Sequence, residues 1–253
     1  MIRFRFFAIL TVLSISTPAL SQEHLLSDRN GDGILEVAAF GDSITYGVGD
    51  SAFPAAGGYI VRAGVLAGIA TTNFGLPGEE ALVGGQYRIA QVLSSSSADI
   101  VVMMEGTNDA VHQASTRELK SGLQRMLNIT HALGKQAVIM TLPPPCCDRG
   151  SLAPFTTSYS AAIRELASSN EVPLTDLEQV WSTTCVNKSE CELYNLPEGL
   201  HPNSLGYDVI AQSLLGTLMG IDLLVPGGAA QLEAALGLEP GSIMVQPIMQ
   251  EIP

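Results

Sequence analysis

Short apolar runs alternate along the chain with longer stretches whose apolar residues recur at helical spacing. The apolar runs predict five strands, at 35–40, 70–74, 99–104, 136–142 and 172–175. The longer stretches predict helices at about 58–68, 79–93, 116–133 and 156–169, with a further helix after Pro202. Because strands and helices alternate with short connections, we expect an α/β fold with a five-stranded parallel sheet and helices on both faces.

The N-terminal segment carries the pattern of a signal peptide. Arg3 and Arg5 precede an apolar run that ends near Ile15, and small residues follow up to Ser21. We predict that residues 1–21 are removed by cleavage after Ser21 and that the protein is periplasmic or secreted. The alternative, an uncleaved membrane anchor, would need a longer apolar run to span a bilayer.

The remainder of the chain has the length and composition of one domain. The protein has 253 residues, of which 46% are hydrophobic, which is enough for a single α/β domain of ordinary size. We expect that domain at 22–224. The segment 225–253 is rich in Gly, Ala and Pro, and we expect a poorly ordered tail with a short helix at 229–236.

The charge of the chain is strongly acidic. Removing the leader takes away two arginines and no acid, which leaves ten basic against 25 acidic residues and a formal charge of −15. Such a surface disfavours nucleic acids and anionic membranes as partners. No later segment is apolar enough for a transmembrane helix, because Gly, Pro and charged residues interrupt each one.

Four cysteines in an exported chain predict disulfides. Cys185 and Cys191 flank a polar stretch, and a local bridge between them is the preferred pairing. Cys146 and Cys147 are adjacent, so they would form a strained vicinal bridge or pair elsewhere. Four cysteines allow three connectivities, and the spacing does not decide among them. A zinc site is disfavoured, because neither pair has zinc-ligand spacing with histidines nearby.

Three polar or glycine-containing motifs follow three of the predicted strands. Ser43 lies in Gly41-Asp42-Ser43-Ile44, Gly78 lies before a predicted helix that begins at 79, and Asn108 lies in Gly106-Thr107-Asn108-Asp109. Each motif alone is also typical of an ordinary turn or helix cap. Because ligands bind at the carboxyl ends of parallel strands, the three together favour a shared site.

A fourth segment supplies a histidine with a carboxylate three residues before it. A serine hydroxyl becomes a good nucleophile only when a base takes its proton, and the base needs a third group to fix its tautomer. His201 precedes Pro202, which keeps it in an extended loop, and Glu198 lies on the same loop. We therefore predict that Glu198 contacts Nδ1 of His201 and leaves Nε2 for Ser43.

These four segments, in this order, resemble the motif blocks of the SGNH (GDSL) hydrolase family. The resemblance places the nucleophile at Ser43, the oxyanion hole at the Ser43 and Gly78 backbone N–H groups and the Asn108 amide, and the catalytic base at His201. The family's Asp-x-x-His block departs here, because Glu198 replaces the aspartate. The resemblance spans about 35–218 and implies a three-layer, flavodoxin-like α/β/α sandwich and a reaction that needs no cofactor.

The resemblance implies an exported carboxylic-ester hydrolase that works through an acyl-enzyme on Ser43. We expect a small-molecule or glycan ester as substrate, with small acyl groups preferred. A lysophospholipase, lipase-like or thioesterase activity is the alternative, since Phe53, Pro54, Ala55 and Ala56 could line an acyl pocket. The alternative from another class is a non-catalytic carbohydrate-binding module on the same fold, which the intact motifs disfavour. The acyl chain, the alcohol and the oligomeric state are left open.

One further motif resembles half of a calcium loop. Asp28, Asn30 and Asp32 match its first positions, but the twelfth position is Ala39 and not the bidentate acid that such a loop needs. A polar turn before the first strand is the favoured interpretation, and a weak calcium site on an incomplete loop is the other.

Overall fold

A computed structural model describes residues 25–54, 57–185, 187 and 190–245. Its sheet has five parallel strands in the order β2-β1-β3-β4-β5, which is the flavodoxin-like order. The strands are β1 (Glu36–Gly41), β2 (Ala70–Gly75), β3 (Ile100–Met104), β4 (Gln136–Met140) and β5 (Leu174–Thr175). The predicted α/β class and all five strands are confirmed, with bounds that differ by up to two residues.

Helices cover both faces of this sheet. They are α1 (Ser43–Tyr46), α2 (Gly58–Ala67), α3 (Gln86–Ser94), α4 (Thr107–Val111), α5 (Thr116–Ala132), α6 (Ala153–Ser169), α7 (Leu177–Thr184), α8 (Ser204–Met219) and α9 (Gly228–Leu236). Helices α2 and α8 pack together, whereas α5 packs against α3 and α6. A π-helical turn (Ala81–Gly85) precedes α3, and a 3₁₀ turn (Cys147–Leu152) precedes α6.

The apolar pattern explains where the core lies. Every residue of β3 is buried, as expected for a central strand covered on both faces. Helix α5 buries Leu119, Leu123 and Met126, which recur at three- and four-residue spacing on one side. The helix begins at a capping box, in which Ser115 and Glu118 satisfy each other's backbone N–H groups. The core therefore forms between the sheet and the apolar faces of its helices.

The helix predicted at about 79–93 forms, but it begins two residues later than expected. Glu79 closes a turn by donating its backbone N–H to the Leu76 carbonyl, and Glu80 is extended. Helical structure begins at Ala81, whose backbone N–H donates to the carboxylate of Asp109 at 3.0 Å. Asp109 thus caps this helix from a distant part of the chain, so Gly78 lies in a turn and not at a helix N-terminus.

The prediction of a poorly ordered C-terminal tail is wrong for residues 237–245. The short helix forms as α9, and beyond it Ile243 and Val245 are buried in the core. The Glu233 carboxylate accepts the backbone N–H groups of Gly241 and Ile243, which ties the segment to α9. Residues 246–253 lie outside the described part of the chain, as does the predicted signal peptide at 1–21.

Cys185 and Cys191 are joined by a disulfide, with their Cα atoms 5.3 Å apart. This is the pairing preferred from the sequence. Among the residues that the structure describes, no helix is long and apolar enough to cross a membrane.

Candidate active site

Ser43 lies at the carboxyl end of β1, as the first residue of α1. Asp42 is the N-cap of this helix, and its carboxylate accepts the Ile44 backbone N–H at 2.8 Å. Ser43 is only 8% exposed, so most of the residue is shielded from solvent. The strand and the cap together fix the position of the serine.

The three residues predicted to form a relay meet in the structure. Ser43 Oγ lies 2.9 Å from His201 Nε2, and His201 Nδ1 lies 2.7 Å from Glu198 Oε1. The other oxygen of Glu198 accepts the backbone N–H of His201 at 3.2 Å. Glutamate therefore reaches the histidine in spite of its extra methylene. The arrangement suits a base that takes a proton from serine while a carboxylate orients it.

A residue without a recognisable sequence pattern supports the histidine loop. The Asn195 side-chain amide donates to the backbone carbonyls of Gly49, His201 and Pro202 at 3.2, 3.2 and 2.9 Å. These contacts join the loop after α1 to the loop that carries the histidine. Sequence reasoning missed Asn195, because its partners are backbone atoms and leave no trace in residue spacing.

A hydrogen bond links Asn108 to Glu79, the residue that follows Gly78. Asn108 is in α4, and its side-chain amide donates to the Glu79 backbone carbonyl at 2.9 Å. An amide nitrogen carries two N–H groups, so this contact orients Asn108 and leaves the second group for a ligand. Gly78 has φ of +86°, a conformation that disfavours any residue with a Cβ.

Acidic side chains lie buried beneath this site. Burial raises the pKa of Asp42 to about 7, and burial together with the charge of Asp42 raises the pKa of Glu105 well above its ordinary range. The Glu79 carboxyl group lies within hydrogen-bond reach of Glu105 and raises its pKa further. Burial also raises the pKa of Asp109. Sequence reasoning gave no role to Asp42 or Glu105.

Arg88 of α3 pairs with a further acidic residue of this region, Glu79. Arg88 donates to both carboxylate oxygens of Glu79, and its guanidinium lies 4.1 Å from the centre of the Phe40 ring. Arg88 also donates to the Phe74 carbonyl at 2.8 Å. The ion pair thus holds the segment that carries Gly78 against the sheet.

The half calcium loop lies elsewhere and has the contacts of a polar turn. The Asp28 carboxylate accepts the backbone N–H groups of Gly31 and Gly33, Asn30 accepts that of Asp32, and Asp32 accepts that of Ile34. These are Asx-type contacts within the loop. Among the described residues, no group of three or more His, Cys, Asp or Glu side chains could hold a metal ion.

Comparison with known families agrees with this geometry. The family model described as "GDSL-like Lipase/Acylhydrolase family" matches residues 39–209, which include every residue of the site. The chain belongs to this family. Membership makes it a carboxylic-ester hydrolase and confirms the resemblance to SGNH (GDSL) hydrolases. No sequence among curated proteins shows significant similarity to the chain.

Solved structures of GDSL hydrolases share the fold. The acetyl xylan esterase AlAXEase is 22% identical, with a TM-score of 0.60 over 71% of this chain and 98% of that one. A G-D-S-L lipolytic protein from Veillonella parvula is 20% identical, with a TM-score of 0.60 over 72% and 96%. A variant of Axe2, an acetyl-xylooligosaccharide esterase from Geobacillus, is 20% identical, with a TM-score of 0.59 over 73% and 94%.

Proposed function

We propose that this GDSL hydrolase is an exported serine esterase that removes small acyl groups from glycans or simple esters through an acyl-enzyme on Ser43. The observation that carries the proposal is the continuous relay from Ser43 Oγ through His201 to Glu198, with contacts of 2.9 and 2.7 Å. Such a relay serves nucleophilic catalysis and not simple binding.

In the first half of the reaction, Ser43 Oγ attacks the ester carbonyl while His201 Nε2 takes its proton. Glu198 keeps the proton of His201 on Nδ1 and stabilises the imidazolium that forms. The collapse of the tetrahedral intermediate needs a proton on the leaving alcohol, and His201 supplies it. The acyl group then remains on Ser43 as an ester.

The negative charge of the tetrahedral intermediate needs donors that are already in place. We assign this role to the backbone N–H groups of Ser43 and Gly78 and to the free N–H of the Asn108 amide. The first residue of a helix has no intrahelical partner for its N–H group, which suits Ser43. The Glu79 carbonyl holds Asn108 in one orientation, so the donor needs little reorganisation during the reaction.

Water completes the reaction by the same steps. His201 takes a proton from water, which attacks the acyl carbonyl of Ser43, and the oxyanion donors act a second time. The serine leaves with the proton returned by His201, and the acid is released.

The preference for small acyl groups draws support from two of the similar structures, whose names describe esterases of acetyl groups on xylan or xylooligosaccharides. The acidic surface agrees with a neutral glycan better than with an anionic lipid surface. The segment 53–56 is the one proposed to bind a longer acyl chain. The centre of its Phe53 ring lies 5.0 Å from the Arg62 guanidinium, and residues 55–56 lie outside the described part of the chain. Export is supported by the leader pattern at 1–21 and by the Cys185–Cys191 disulfide.

The test is hydrolysis of p-nitrophenyl esters from acetate to palmitate, with acetate release from acetylated xylooligosaccharides measured in parallel. We expect the mature protein to prefer acetate and Ser43→Ala to be inactive with every substrate. An optimum at long chains would replace the small-acyl proposal with a lipase-like one. Full activity in a folded Ser43→Ala variant would overturn the mechanism itself.

A further inference from the structure

The loop that carries Glu198 is held by a turn that contains two adjacent cysteines. Cys146 donates its backbone N–H to the Gly199 carbonyl at 2.8 Å, and Arg149 donates to the Glu198 carbonyl at 3.1 Å. Gly199 has φ of +73°, and a Cβ there would lie 2.4 Å from the Cys146 carbonyl oxygen. The cysteine turn and the acid loop therefore pack against each other backbone to backbone.

We propose that Cys146 and Cys147 form a vicinal disulfide, and that this bridge braces the loop that carries Glu198. The bridge is independent of the proposed function, whereas its effect on catalysis rests on the proposed role of Glu198. It is distinct from the Cys185–Cys191 disulfide, which lies in another loop.

The geometry of the turn suits such a bridge. The two Sγ atoms are 2.7 Å apart, so closing a bond of about 2.05 Å needs only a small displacement. Cys147 has φ of +53°, a conformation that non-glycine residues seldom adopt outside constrained sites. Adjacent Cα atoms are about 3.8 Å apart, which is closer than in ordinary disulfides. The bridge is therefore strained and easier to reduce than an ordinary one.

The chemistry is thiol–disulfide exchange with a small disulfide such as oxidised glutathione. Both cysteines line a cavity of about 820 Å³, which gives a small reagent access to them. Cys147 is the more exposed, so its thiolate attacks the reagent and releases one glutathione thiolate. The Cys146 thiolate then attacks Cys147 Sγ and releases the second. The protein loses two protons and two electrons, and one glutathione disulfide becomes two thiols.

The order of attack agrees with the surroundings of the two sulfurs. Burial and the neighbouring Cys147 raise the pKa of Cys146 to about 11, which makes it the poorer first nucleophile. Cys146 is only 5% exposed and lies directly against the Gly199 backbone. Closing the ring stiffens the turn from Cys146 to Arg149, whose N–H groups hold the acid loop.

The first experiment detects the bridge by mass. The Cys185→Ser/Cys191→Ser variant leaves two cysteines in the chain, so an intramolecular disulfide in the monomer can only join Cys146 to Cys147. After treatment with oxidised glutathione, the tryptic peptide 136–149 should be two hydrogens lighter than the same peptide from reduced protein, and its cysteines should resist alkylation. Two alkylated thiols in that peptide, in folded protein, would overturn the proposal. In the wild-type protein, this bridge should open at a lower dithiothreitol concentration than Cys185–Cys191.

The second experiment measures kcat in the same variant, oxidised and reduced. Misplacing a catalytic group by about 1 Å costs up to about 10²-fold in rate, so reduction should lower kcat by at most that factor with KM unchanged. The matched background adds Glu198→Ala, in which reduction should leave kcat unchanged because the braced group is gone. An equal loss in both backgrounds, or none in either, would overturn the bracing. If no ester is hydrolysed at all, the mass measurement still decides the bridge.

Discussion

Two sets of buried carboxylates, Asp99 at one end of the sheet and Asp42 with Glu105 at the other, are held in opposite ways. At the amino end of β3, Asp99 accepts backbone N–H groups from Arg29, Asn30 and Glu36 at 2.7–3.1 Å. Burial alone would raise the pKa of Asp99, but these donors outweigh it and hold the pKa below its usual range. At Asp42 and Glu105, next to the carboxyl ends of β1 and β3, burial dominates and raises the pKa values.

This difference distinguishes a carboxylate that stabilises the fold from carboxylates beside the proposed site. A buried carboxylate with its oxygens paired stabilises the fold, whereas one with unpaired oxygens costs stability. At Asp42 and Glu105, the burial of the charged form outweighs the contacts that each carboxyl makes. Groups with perturbed pKa values concentrate at active sites, so these raised pKa values agree with the site proposed at the carboxyl end of the sheet.

The largest effect expected at the carboxyl end comes from His201→Ala. Loss of the base should lower kcat by about 10⁴-fold or more, because Ser43 then has no acceptor for its proton. His131→Ala is the matched control, since His131 is an exposed helical residue, and its kcat should equal that of wild type. Ester hydrolysis under saturating substrate measures both. Comparable activity in the two variants would contradict the assignment.

Asn108→Ala should give a smaller loss at the same end. Removing one oxyanion donor typically lowers kcat by about 10²–10³-fold, with little change in KM. Asn128→Ala on α5 is the control, because Asn128 is exposed and its side-chain oxygen accepts a hydrogen bond from Gln124. If Asn108→Ala raised KM and left kcat unchanged, Asn108 would bind the ground state and not the oxyanion.

Asp99→Ala should show the reverse pattern at the amino end. It removes the shared acceptor of three partly buried backbone N–H groups. Hydrogen bonds to a charged group contribute about 1.5–3 kcal/mol each, so the free energy of unfolding should fall while kcat of the folded protein stays unchanged. Because folding lowers the pKa of Asp99, its contribution is present above pH 4 and is lost in the wild type as the pH falls through the folded pKa. Urea unfolding at pH 7 measures the loss. An unchanged midpoint would show that these contacts do not stabilise the fold.

Asp42→Asn should change the melting temperature by an amount that depends on pH. Folding raises the pKa of Asp42 from an ordinary value near 4 to about 7, so the cost of the ionised carboxylate grows between those values and is complete above them. Asparagine keeps the N-cap without the charge. The melting temperature of Asp42→Asn relative to wild type should therefore rise from pH 4 to pH 8. Asp32→Asn, on the exposed turn, should show no such trend, and a flat difference for Asp42→Asn would contradict the argument.

The parts of the fold that the sequence predicted depend on local pattern. Buried runs such as Ile100–Met104 and the apolar face of α5 are visible in residue order alone. Ser43 and His201 are 158 residues apart, and their meeting was predicted because both segments lie at the carboxyl end of one sheet. Family motifs added the assignment of roles.

The parts that it did not predict depend on contacts between distant segments. The helix that was expected from residue 79 begins at Ala81, because Asp109, 28 residues away, supplies its cap. Ile243 and Val245 are two apolar residues in a Gly- and Pro-containing segment, too few to show a periodic pattern before α8 and α9 are in place. The raised pKa of Glu105 likewise follows from tertiary burial and not from its neighbours in sequence.

The relay from Ser43 through His201 to Glu198 is the central claim, and covalent labelling tests it most directly. A fluorophosphonate reacts only with an activated serine, and peptide mass analysis locates the adduct. We expect one adduct per chain, on Ser43, with labelling abolished in Ser43→Ala and slowed strongly in His201→Ala. A folded wild-type protein that remains unlabelled, or that is labelled at another serine, would contradict the account.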